Sequence, residues 1–134
     1  MIAAALLCVL VLATTSGCAA VADPLAGTSW RLTGWSVSSI DPASVTITAS
    51  FKDGRIGGTS GVNSYGGLYS IGPGGSIAIG ALSSTLMAGP EPAMRAEAAY
   101  DTLLSQVASF KIADGKLTLL DKGGNESLIF APSK

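Results

Sequence analysis

Glu91, Glu97 and Asp101 put three acidic side chains into one short segment. Glu97 and Asp101 are spaced i, i+4, which places them on one face of a helix. A pair of carboxylates can hydrolyse a glycosidic bond, one as acid and the other as nucleophile or base. That chemistry needs the acid in an apolar pocket, with its partner across a cleft. Two acids on one helix face read more simply as solvated surface. A small hydrolase using Glu97, Asp101 or Glu91 is the alternative reading. It predicts lost activity with intact stability on Glu97→Gln.

Composition excludes histidine-dependent and, in the body, cysteine-dependent chemistry. The 134-residue chain has no histidine. Ser-His-Asp and Cys-His machinery and His-ligated metal sites are therefore absent. The two cysteines are Cys8 and Cys18, so the body from Ala19 onward has no thiol, disulfide or Cys-based metal site. No catalytic residue, metal or cofactor is expected, and the chain reads as non-enzymatic. Eight basic and nine acidic side chains give a net charge of −1, with no basic patch for nucleic acid.

Two polar segments are candidates for binding. Asn63, Ser64 and Tyr65 sit in Val62-Asn-Ser-Tyr-Gly-Gly67. Such a loop can turn its backbone amides toward a ligand, or it is a tight turn that needs Asn and Gly for geometry. Thr85 ends Ser83-Ser-Thr85, just before Met87. This segment either lines a pocket or is a strand end with the Thr85 hydroxyl bonded to backbone. Trp30 and Trp35 could stack on a ligand, but Trp30 is expected in the core.

These residues need a scaffold, and hydrophobic periodicity indicates one. Trp30, Leu32 and Trp35 alternate in a first strand with a bend at Gly34. Val45, Ile47, Ala49 and Phe51 share one face of a second. Asp53-Gly54 is a hairpin turn signal, and Arg55–Gly61 is the return strand. A turn cluster at 62–67 is followed by short strands at Leu68–Ile71 and Ser76–Gly80. From Pro92 to about Ala108 the period changes to three and four, through Ala96, Tyr100, Leu103, Leu104 and Val107. This is an amphipathic helix with Pro92 in its first turn. Phe110–Ile112, Leu117–Leu120 and Ser127–Phe130 then make a three-stranded meander. The fold class is α+β: a curved, barrel-like antiparallel sheet with one main helix packed against it.

The N-terminus is of a different kind. No charged side chain precedes Asp23. The apolar run Ile2–Ala13 is shorter than the roughly 20 residues of a membrane-spanning helix. It fits the about 7–15 residues of a signal-peptide core. Thr15-Ser16-Gly17-Cys18 resembles the bacterial lipobox, although Thr15 stands where Leu is usual. In this reading residues 1–17 are a lipoprotein signal peptide, Cys18 is acylated, and 18–24 are a lipidated tether. Two or more acyl chains would hold durably where one holds only marginally. A plain secreted form and an uncleaved anchor are the alternatives.

Leu25-Ala-Gly-Thr-Ser-Trp30, Gly58-Thr-Ser-Gly-Val-Asn-Ser-Tyr-Gly-Gly67 and Leu82-Ser-Ser-Thr-Leu-Met-Ala88, with Glu97 and Leu117-Thr-Leu-Leu-Asp121, resemble the META domain, the HslJ-like family of bacterial envelope proteins. The resemblance covers about Leu25–Phe130, within a domain set at residues 25–131. It implies a single small domain behind a signal or lipobox, a loose tie to stress response, and no established catalytic mechanism. The family typically has Cys at the positions of Val62 and Gly89, a pair that can form a disulfide. This chain lacks both. The expected partners are membrane lipid through Cys18 and an envelope protein or small apolar ligand, on the extracytoplasmic side.

Overall fold

A computed structural model describes residues 21–133. Cys8, Cys18 and the expected signal peptide at residues 1–17 lie outside these residues. The described residues form nine strands and one α-helix: β1 (Thr28–Trp35), β2 (Thr48–Lys52), β3 (Arg55–Thr59), β4 (Ser64–Ile71), β5 (Ile77–Ile79), β6 (Ser83–Ser84), α1 (Glu91–Ser105), β7 (Val107–Ala113), β8 (Lys116–Asp121) and β9 (Glu126–Pro132). The sheet is antiparallel throughout, in the order β5-β4-β3-β2-β1-β9-β8-β7, and β6 also pairs with β4. A bridge between Ser76 and Ser109 links the two outer edges. The sheet is thus a nearly closed barrel, which leaves little free edge.

Turn chemistry explains much of the register. Asp53 and Gly54 have φ of 51° and 73°, and Asp114 and Gly115 have 53° and 71°. Positive φ at both central residues is the signature of the two-residue turn that matches strand twist. The bend expected at Gly34 is a register shift between Leu32 and Gly34 in the β1–β9 ladder. Alternation then sets the faces. Trp30, Leu32, Ile47, Ala49, Phe51, Leu117, Leu119, Leu128 and Phe130 are all buried. From α1, Tyr100 and Leu104 are fully buried in this same core.

Several boundaries differ from expectation. β4 begins at Ser64, so Ser64–Gly67 are strand rather than turn. The ladder to β3 runs from Thr59↔Ser64 to Arg55↔Leu68, and glycines at 57, 58, 66 and 67 do not interrupt it. Sheet pairing here overrides the weak strand preference of glycine. Val107, expected on the helix, instead begins β7 opposite Asp121. The helix stops at Ser105, and β-branched Val107 enters the sheet.

The two ends of the barrel differ. At one end Asp23 accepts a 2.6 Å hydrogen bond from the Tyr69 hydroxyl, and its other carboxylate oxygen accepts from Leu25 N at 2.9 Å. The β2–β3 turn lies there too, because Tyr69 N donates to Gly54 O. At the other end are residues 60–63 and the start of α1. An eight-residue strand such as β1 or β4 rises about 25 Å between the two ends.

Candidate functional site

Residues 60–63 form a tight connection between β3 and β4, closed by Ser60 N donating to Asn63 O at 2.9 Å. Gly61 has φ of +117°, and a Cβ there would lie 3.3 Å from the Ala93 carbonyl of α1. Only glycine combines that backbone conformation with so close an approach to a helix. The result is that the connection lies directly on α1, where Glu97 meets it.

Glu97 is buried, with 8 % of its surface exposed. This corrects the expectation that it lies on a solvated helix face. Its Oε1 accepts from Ser60 Oγ at 2.6 Å and Asn63 N at 2.7 Å, and its Oε2 accepts from Asn63 Nδ2 at 2.8 Å. Asn63 is equally committed. Its Oδ1 accepts from Met87 N at 2.7 Å and Thr85 Oγ1 at 2.9 Å, while Nδ2 also donates to Met87 O at 3.2 Å. A backbone N–H can only donate, so Met87 fixes which end of the Asn63 amide is oxygen. Ser64 N donates to Thr85 Oγ1 at 3.2 Å, which completes the clamp. Three segments distant in sequence are thereby tied together: the β3–β4 connection, residues 85–87 and α1.

The other candidates fall into place around this clamp. Tyr65 is core rather than loop. Its hydroxyl donates to Thr48 O at 2.7 Å and lies 2.6 Å from the Tyr100 hydroxyl. Burial pushes the Tyr65 and Tyr100 phenols well above their ordinary range. Trp30 is buried as expected, and its Nε1 donates to Thr28 Oγ1 at 2.7 Å. Trp35 is half-buried, with Nε1 donating to Ile40 O at 2.9 Å. Glu91 is exposed and stands 3.9 Å from Arg95 across one helical turn. The polar groups of Asn63, Tyr65 and Thr85 are engaged within the fold.

A groove runs beside the clamp, between α1 and residues 79–88. One part, of about 360 Å³, is lined by Tyr65, Ile79, Leu82, Ser84, Asp101 and Ser105 among others. A second, of about 390 Å³, is lined by Asn63, Thr85, Leu86, Met87, Glu97 and again Asp101. Leu86 stands on the rim, 94 % exposed. Among the described residues, neither part has a Lys or Arg in its lining.

The META-domain family model matches residues 23–134. The chain belongs to the META-domain family. No curated protein matches it. Among solved structures it is similar to an NMR structure of a protein from Burkholderia xenovorans, at 25 % identity and a TM-score of 0.67, covering 87 % of this chain and 94 % of that one. A crystal structure of a DUF4847 family protein from Bacteroides vulgatus has the same fold. It is 13 % identical, with a TM-score of 0.57, and the match covers 81 % of this chain and 94 % of that one.

In this META domain three of the segments that carry the family resemblance are the ones the clamp joins. Asn63, Thr85, Met87 and Glu97 are far apart in sequence and bonded in space. The two positions at which the family typically has Cys are also adjacent. A Cβ built on Gly89 would lie 3.4 Å from Val62 Cβ.

The two acids of α1 behave oppositely. Burial alone would raise the Glu97 carboxyl, but hydrogen bonds from Ser60, Asn63 and the Val62 backbone outweigh it, and Glu97 is held below its ordinary 4.5. Asp101 is raised from 3.8, first by burial and then by the Glu97 charge, with no hydrogen bond offsetting either. The signs follow from linkage. Glu97 contributes stability that is present above pH 4.5 and lost as pH falls through its lowered folded value. Asp101 imposes a penalty when ionised, which is relieved as pH falls through its raised value. Asp101→Asn should therefore be more stable than the parent at neutral pH and lose stability more steeply on acidification. Urea midpoints measured from neutral to acidic pH check this. A parallel loss in both proteins would show that Asp101 is fully solvated.

Proposed function

We propose that the protein is a non-enzymatic, lipid-anchored accessory module of the bacterial cell envelope. Cys18 is its acylation site, and the groove beside α1 is its binding face. The observation that carries the non-enzymatic reading is the immobilised Glu97. A general acid or base must exchange its proton with substrate. Glu97 instead accepts three donors within the fold, and its pKa is lowered. Asp101 lacks a second acid facing it across a cleft, so the pair does not support the hydrolase reading.

The anchor and the groove are compatible in space. Four residues separate Cys18 from Asp23, so the tether spans at most roughly 17 Å. Its far end is pinned by Asp23 to Tyr69, at the barrel end away from residues 60–63. An acylated Cys18 would hold that end near the bilayer, with the groove running from beside it, where Ile79 pairs with Tyr69, toward the end at residues 60–63. Among the described residues no helix is long and apolar enough to cross a membrane. A stress-related role fits this placement, as a module that binds a ligand or an envelope protein at the membrane surface.

Intact mass of protein extracted from membranes tests the anchor. The expected species begins at Cys18 and carries two or three acyl chains, and Cys18→Ala abolishes it. An unmodified mass starting at Val21, Asp23 or Met1 would remove the lipoprotein reading.

A further inference from the structure

We propose that the groove between α1 and residues 79–88 binds a small organic cation, a protonated amine on a short apolar body, with Asp101 as its counter-ion. The proposal deepens the binding role above and rests on the groove being the binding face. Asp101 borders both parts of the groove, so one carboxylate is available to each. That carboxylate is half-buried and has neither a hydrogen bond nor an ion pair among the described residues. The basic side chain nearest in sequence, Arg95, pairs with Glu91 and lines a different hollow, with Ser39, Ile40 and Asp41. Glu97 adds a second negative charge beside Asp101, and its own hydrogen bonds keep it ionised.

A protonated amine at Asp101 would meet both charges. The fold has already removed part of the water from this carboxylate, so a cation gains more there than at an exposed acid. The remaining lining sets the rest of the ligand. Ile79 and Leu82 are half-buried on one wall, and exposed Leu86 and Met87 form the rim at 94 % and 59 %. An apolar body lying on Ile79 and Leu82, or on Leu86 and Met87, would cover surface that is otherwise wet. Each part of the groove, near 360 or 390 Å³, is the size of a small-molecule site. A neutral or anionic ligand would leave Asp101 unpaired and still desolvated, so the groove selects against it.

The test is an amide NMR titration of the ¹⁵N-labelled full chain at neutral pH, with 2-phenylethylamine and with its uncharged analogue 2-phenylethanol. The expected result is saturable shifts at Leu82, Ser84 and Asp101 with the amine. The alcohol should bind at least about tenfold more weakly, the equivalent of one modest charge pair. Asp101→Asn, with unchanged spectral dispersion, should reduce the amine to the level of the alcohol. Acidification that protonates Asp101 should weaken the amine and leave the alcohol unchanged. Equal binding of amine and alcohol would overturn the cation while leaving the groove as the binding face. No shift with either would overturn both. Shifts with a lysine-containing peptide but not with the amine would also overturn it, in favour of a protein partner.

Discussion

Glu97→Ala should destabilise the domain by about 4 kcal/mol, measured by urea unfolding at neutral pH. The substitution removes an acceptor from three donors at once: Ser60 Oγ, Asn63 N and Asn63 Nδ2. Each hydrogen bond to a charged group contributes roughly 1.5–3 kcal/mol, and a buried donor left without a partner costs its desolvation. The total falls below the sum because the site is near the surface and water can re-enter. The loss is still large against the 5–15 kcal/mol of a typical domain.

Glu97→Gln should cost less, about 2 kcal/mol, and for an informative reason. Its amide can keep an oxygen toward Ser60 and Asn63 N, but it then points an NH₂ at Asn63 Nδ2. Asn63 cannot flip to relieve this, because Met87 N and Thr85 Oγ1 hold its oxygen. Glu91→Ala is the control. Its pair with Arg95 is exposed and 3.9 Å apart, so the change should stay within about 0.5 kcal/mol. Glu97→Ala within about 1 kcal/mol of the parent would mean the clamp is not rigid in solution. Stability intact on Glu97→Gln was the expectation for a hydrolase. The clamp makes that assay a reading of folding as well as of chemistry.

Val62→Cys with Gly89→Cys should form a disulfide on mild oxidation and raise stability by about 3.5 kcal/mol over the reduced form. The Cβ positions at 62 and 89 are 3.4 Å apart, just below the roughly 3.5–4.5 Å that a disulfide uses, so a small backbone shift accommodates the bond. The bond would close the long loop that carries β4, β5 and β6, and so remove much of the freedom of the unfolded chain. Gly89 has no positive φ to be strained by a side chain. Order of substitution matters. Gly89→Cys alone would place its Cβ 2.7 and 2.9 Å from the two Val62 methyl carbons, so it should destabilise until Val62 is also replaced. Thiol counting and urea unfolding, with and without reductant, check both points. Free thiols after oxidation would show that segments 62 and 89 are farther apart in solution.

The pair also explains how this chain dispenses with a crosslink. The Glu97 clamp ties the same two stretches, 60–63 and 85–87, that a bond between positions 62 and 89 would tie. Val62 against Gly89 adds apolar contact where the sulfurs would be. Val62 packed against Gly89 thus offsets part of what a disulfide would contribute. The polar network is the larger contributor, because it satisfies several buried groups at once.

Much of the fold was legible because it depends on local rules. The two Asp-Gly turns, the bend at Gly34, the faces of Ile47, Ala49 and Phe51, and the helix start near Pro92 all follow from backbone chemistry and alternation. The start of β4 at Ser64 was not legible. Asn, Ser and Gly there read as a turn, and only pairing with β3 makes a strand of them. The site was legible in part. Asn63 and Thr85 stood out as polar residues in loops, and the alternative that they serve geometry matches their bonds. Glu97 was misplaced because spacing alone put it on the same face as Asp101. Spacing says nothing about which side of that face the β3–β4 connection covers.

By itself the sequence determined the chemical inventory and the local geometry. It ruled out histidine and thiol chemistry in the body, and it marked the turns, the helix and the apolar alternation. It also assembled the segments that resemble the META domain, because those depend only on order along the chain. Only the tertiary structure decided what the two helical acids do. Gly61 lets the β3–β4 connection press onto α1, and the donors it brings hold Glu97 ionised and fixed. One helical turn farther on, no donor among the described residues reaches Asp101, and its carboxylate faces the groove. Two carboxylates with the same local sequence signal thus acquire opposite pKa shifts and different roles, because hydrogen bonding across the chain, not helical spacing, sets the environment of each.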